Sequence, residues 1–182
     1  MKYRWWIVIA IVLFGIGIIF GLAAPAGMAS LLSEELAYLG EFGEVLAPFT
    51  FTTFIFIFLK NAVALLVSFI LSPIFCLMPI LALVVNGWIV ALVSTMVIEE
   101  ESLGFVLAGL LPHGIIELPA FFIGEAAALS IGAMAVIALF KKEKRSLLLP
   151  SLKQNLKYLA IALALMLPAA VIETYVTPLL VG

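Results

Sequence analysis

Residues 5–24, 49–71, 74–98, 119–140 and 158–180 each form an almost unbroken apolar run. Each reaches the roughly 20 residues that a helix rising about 1.5 Å per residue needs to cross about 30 Å of hydrocarbon. In lipid the backbone finds no water, so spanning segments satisfy their N–H and C=O groups within helices or a closed barrel. The runs lack the alternating pattern of barrel strands. The expected fold class is therefore all-α, a polytopic transmembrane helical bundle occupying residues 1–182 as one domain. Composition agrees: the chain is 66% hydrophobic and 11% charged, whereas soluble domains carry roughly a quarter charged residues.

A net charge of −2 without a basic patch argues against a nucleic-acid partner. The single cysteine, Cys76, lies in an apolar run, where free cysteine usually serves as a small buried hydrophobe. It leaves no disulfide framework and no thiolate metal cluster.

The first run, Trp5 to Ala24, follows Lys2 and Arg4 and precedes Ala24-Pro25-Ala26, which has the small-x-small form of a signal cleavage site. Its apolar core exceeds the about 7–15 residues of a signal sequence, so it is read as a span. Gly17 and Gly21, four apart, give it a face for close helix packing, within the chain or in a homo-oligomer. Ala26 to Ala47 carries Glu34, Glu35, Glu41 and Glu44 among leucines at near-helical spacing, the pattern of an amphipathic segment at the outer membrane surface. Lys60-Asn61 interrupts the second span, and the third holds Asn86-Gly87, with Pro79 placed to kink it. After Glu99-Glu100-Glu101, the stretch Leu103 to Leu118 contains Pro112 and Gly114, and Pro119 is a favoured first residue of a helix.

Charge sets the sidedness, because lysine and arginine collect in cytoplasmic loops. Lys2 and Arg4 place the N-terminus inside, so three spans later Glu99 is outside. A separate full crossing by residues 103–118 would carry the basic loop at 141–157 outside. A re-entrant segment at 103–118, breaking at Pro112 and Gly114, keeps that loop inside. Eight of the nine basic residues are then cytoplasmic, with Lys60 alone in a span. The expectation is a multi-pass cell-membrane protein of five full spans plus a re-entrant segment, N-terminus cytoplasmic and C-terminus extracytoplasmic.

Lys60, Asn86, His113, Glu117, Glu125 and Glu173 form the polar set at membrane depth, where an unpaired charge costs from about 2.5 to above 10 kcal/mol. His113 and Glu117, four apart, share one helical face. Such an imidazole and carboxylate pair can join a structural network, relay protons, or ligate a divalent metal such as zinc, with further ligands from Glu125, Glu173 or Asn86. The chain has no aspartate, and no serine or cysteine adjoins His113, which argues against a nucleophilic triad. Asn61 and Asn86 are read mainly as interhelical hydrogen-bonding groups, and Glu173 as a partly hydrated residue near the outer interface. Ala120, Gly124, Ala128 and Gly132 form a small-residue stripe suited to close packing, with Glu125 beside it.

Asn86-Gly87, the run Pro112-His113-Gly114-Ile115-Ile116-Glu117-Leu118-Pro119-Ala120, Gly124, Gly132, and Glu173 followed by Thr177-Pro178 occur in one order over most of the chain. In these landmarks the sequence resembles the stage II sporulation protein M family, while Lys60 and Ser72-Pro73 depart from its pattern. The resemblance implies an integral membrane protein without an established activity of its own; in spore formers the namesake anchors a peptidoglycan-degrading machine during engulfment. The expected function is a membrane scaffold or permease-like component, in contact with lipid and with membrane-protein partners. The alternatives are an ion- or proton-coupled transporter or channel subunit, and an intramembrane metal hydrolase with His113 and Glu117 as ligands and Glu125 as base. Short hydrophilic segments weigh against an enzyme.

Overall fold

The computed structural model describes residues 2–24 and 47–181; the expected amphipathic segment at 26–47 lies, except for Ala47, outside the described residues. The helices are α1 (Tyr3–Leu22), α2 (Phe51–Leu71), α3 (Leu77–Glu100), α4 (Leu103–Phe140), α5 (Leu148–Tyr175) and the short α6 (Pro178–Val181), with a 3₁₀ turn at Lys142–Leu147. No strand occurs among the described residues. Helices α1 to α5 are long and apolar enough to cross a membrane. Ile19, Phe51, Ile70, Ile115 and Leu179 are exposed on the bundle surface, as lipid-facing side chains must be.

Local chemistry sets several boundaries. The Thr50 and Ser102 hydroxyls accept the Thr53 and Phe105 backbone N–H groups, each at 3.2 Å, and so cap α2 and α4. Pro79 falls in the first turn of α3, where the missing N–H has no intrahelical partner to lose. It starts the helix and does not kink a span from within, as the sequence suggested. Pro150 sits likewise in the first turn of α5. That helix begins at Leu148, so most of the expected basic loop at 141–157 is helical. The guanidinium of Arg145 donates to the Ala138 carbonyl (3.1 Å), satisfying an acceptor near the C-terminus of α4.

The largest correction concerns residues 103–118. They do not form a re-entrant hairpin: α4 runs without a break through Pro112, Gly114 and Pro119 for 38 residues, about 57 Å at the helical rise. Proline is tolerated in spanning helices because neighbouring helices and side chains take up the freed backbone groups. One long helix still puts residues 99–101 and 141–147 at opposite ends of the bundle. The sidedness required by the charges therefore needs no hairpin.

Helices α1 and α3 run parallel in very close contact. A side chain at Gly17 would strike the Val84 carbonyl, one at Gly87 the Phe14 carbonyl, and one at Gly21 the Trp88 carbonyl. Helix α2 runs parallel to α4, with Leu65 against Gly124 and the Ser72 carbonyl against Gly132. Helix α5 runs antiparallel to α4, since Asn155 bonds Ser130 (3.3 Å) while Thr177 meets His113. The core joins Leu65, Phe69, Ala127, Ala128, Leu159 and Met166 in one cluster and Ala10, Phe14, Leu83, Ala126 and Leu129 in another. At the N-terminus, Tyr3 stacks on Tyr158 and donates its hydroxyl proton to the Ile123 carbonyl.

Candidate functional site

The polar residues separate into two places along α4. In its first half, His113 and Glu117 lie one turn apart, with Nε2 of the ring 3.8 Å from Oε2 of the carboxylate. Asn61 of α2 donates its amide to Oε1 of the same carboxylate at 3.0 Å. Beyond the end of α5, the Thr177 hydroxyl lies 3.4 Å from Nδ1 of His113. Glu173 of α5 completes the group: one ligand atom from each of His113, Glu117 and Glu173 lies within 4.8 Å of the others. All three side chains are half-buried.

Beside this group is a cavity of about 200 Å³ among α1 to α5, whose polar lining is Asn61, Asn86, His113 and Glu117 and whose apolar wall includes Phe14, Val90 and Met166. Asn86 is exposed, and its amide donates back to the Ala82 carbonyl (2.7 Å). It borders the cavity without a bond to the cluster. Lys60 is exposed on α2, next to Asn61.

Glu125 does not join this group. It lies two helical turns, about 12 Å of rise, beyond Glu117 and is wholly buried. The Ser68 hydroxyl donates to its Oε2 at 2.6 Å, and its Oε1 has no partner among the described residues. Of the further ligands the sequence offered, Glu173 is grouped with His113 and Glu117, while Glu125 and Asn86 stand apart. Glu173 is 56 residues from Glu117, so no local spacing connects them. Asn61, Ser68 and Thr177 were equally without a spacing signal.

The small residues are all at helix contacts. Gly17, Gly21, Ala120, Gly124, Ala128 and Gly132 are buried, and Gly87 joins them at the α1–α3 seam.

Residues 10–178 match the family model described as Stage II sporulation protein M. An uncharacterized protein of Methanocaldococcus jannaschii is 29% identical over 174 residues, which cover 94% of this chain and 93% of that protein. No solved structure matches the chain.

Proposed function

The chain belongs to the stage II sporulation protein M family and is a multi-pass integral membrane protein; on that premise we propose that it works as a membrane scaffold or permease-like component centred on the His113 cluster. The observation that carries the reading is the location of its chemistry. The described links between the spans are short, Ser72–Cys76, Glu101–Ser102 and Lys141–Leu147, and they leave no room for a catalytic domain. The convergent polar groups instead line a cavity among the helices, where polar side chains at membrane depth mark working positions.

Orientation is part of the proposal. Helix α1 runs parallel to α3 and so opposite to α4, which points Lys2, Arg4, the 141–145 run and the start of α5 toward one side of the bundle, and their excess of basic residues favours the cytoplasm for that side. In a Cys76→Ser background, Leu149→Cys and Glu99→Cys are expected to react from opposite faces of intact cells. Labelling of both from one face overturns the orientation.

Partner recruitment is tested by co-purification from native membranes. The wild-type chain is expected to retain a membrane-protein partner that His113→Ala and Glu117→Gln lose. The cavity favours one second reading, an ion or proton path through the bundle. A chain that purifies without partners and conducts ions in liposomes, with conduction lost in Glu117→Gln, replaces the scaffold reading by that one. The hydrolase reading loses its proposed base, because Glu125 lies more than three turns of α4, about 18 Å of rise, beyond His113.

A further inference from the structure

We infer that His113, Glu117 and Glu173 bind one divalent transition-metal ion, with Asn61 and Thr177 holding two of the ligands in position. The three ligand atoms already lie within 4.8 Å of one another. Ligands bound at about 2.0–2.2 Å around a tetrahedral ion sit about 3.4 Å apart. Closing the site therefore needs side-chain movements of about 1 Å and no displacement of helices. One imidazole and two carboxylates with an open fourth position is a donor set that suits zinc or manganese.

Observations beyond the three ligands point the same way. Asn61 holds Oε1 of Glu117, and Oε2 is the oxygen turned toward His113. The Thr177 hydroxyl, whose proton goes to the Ile172 carbonyl, can accept from Nδ1 of His113; in that tautomer Nε2 offers its lone pair toward Glu117. Outer partners of this kind orient metal ligands and fix the histidine tautomer. The neighbouring cavity reaches His113 and Glu117, which gives an ion a route and space for a water ligand.

Charge balance supplies a further reason. Glu117 and Glu173 bring two carboxylates together on facing helices, and the lysine beside them among the described residues is the exposed Lys60. Two ionised carboxylates held together at membrane depth are costly without a compensating cation. A divalent ion compensates both at once.

The inference rests on reading the cluster as the working centre of the protein, and its test fails separately from that reading. Protein purified in detergent without a polyhistidine tag is stripped with EDTA and re-equilibrated with Zn²⁺ or Mn²⁺ alone. Bound metal is then measured by plasma mass spectrometry, and thermal unfolding is followed by tryptophan fluorescence. Expected results are stoichiometric metal on the wild-type chain and a rise in Tm that EDTA reverses. Both are lost in His113→Ala and Glu173→Gln, and both are kept in Gly15→Ala, whose position faces open space. Asn61→Ala is expected to weaken binding by about 10–100-fold.

Folding of each variant is checked by its metal-free melt; if Glu173→Gln does not fold, Glu173→Asp and Asn61→Ala carry the comparison. Substoichiometric metal on the folded wild-type chain, or full retention by folded Glu173→Gln, overturns the site. Partner or flux phenotypes that persist without metal would leave the scaffold or permease reading standing.

Discussion

The two halves of α4 are built for opposite purposes. From Ala120 to Gly132 nine of the thirteen residues are buried: Ala120, Gly124, Glu125, the three alanines 126–128, Leu129, Ile131 and Gly132. From Leu103 to Pro119 only Val106 is buried, and the space is left to His113, Glu117 and the cavity. Each half carries one glutamate. Glu125 is enclosed and bonded to Ser68, whereas Glu117 faces a histidine, an asparagine and a second carboxylate. The same helix thus provides a packing surface along one half and a more open, polar one along the other, and residue type alone does not tell which glutamate lies in which.

The comparison is broken most forcefully in the packed half. Gly132→Leu drives a side chain into the Ser72 carbonyl and Cys76, so it is expected to destabilise the bundle by about 3 kcal/mol or more, at the upper end of overpacking costs. A melt in detergent indistinguishable from wild type would sink the tight-seam description. Next in size is Ser68→Ala, which strips the buried Glu125 carboxyl of its hydrogen bond and is expected to cost about 1–3 kcal/mol. Replacing both partners, Ser68→Ala with Glu125→Leu, should recover much of that loss, because no buried polar group is then left unpaired. A double variant that melts below Ser68→Ala would show Glu125 doing more than packing.

In the open half, Glu117→Gln and His113→Ala are expected to change stability by less than about 1 kcal/mol, as half-buried sites away from the core do, while abolishing partner retention. Stability falling in step with partner loss would make the cluster a structural element. The smallest effect sharpens the contrast most. Gly114→Ala meets open space and should stabilise by about 0.5–1 kcal/mol, the helix advantage of alanine over glycine. The same substitution at Gly132 meets backbone and should destabilise. Matching signs at the two glycines would erase the distinction between the halves.

Much of this was legible in the chain. The apolar runs identified the first three spans to within a few residues, since length and hydropathy are what the bilayer selects, whereas α4 and α5 begin at Leu103 and Leu148, well before the runs at 119–140 and 158–180. The pairing of His113 with Glu117 followed from four-residue spacing, and the glycine and alanine stripe pointed to contact faces. The continuity of α4 was not legible: Pro112, Gly114 and Pro119 read as breaks because, in an isolated helix, each weakens it. Nor did spacing indicate Glu173, Asn61 or Thr177, which reach the cluster from other helices.

By itself the sequence determined that this is a helical membrane protein of five spans, because the cost of placing unsatisfied backbone in hydrocarbon allows few other outcomes. It also determined which residues are too polar for lipid to surround freely. The tertiary structure decided which of those residues meet. Convergence depends on how α2 and α5 sit against α4, and that is set by close approach at Gly124 and Gly132 and by the antiparallel return of α5. Hence Glu173, not Glu125, stands beside His113: the register between helices is a property of packing, which no spacing within one helix encodes.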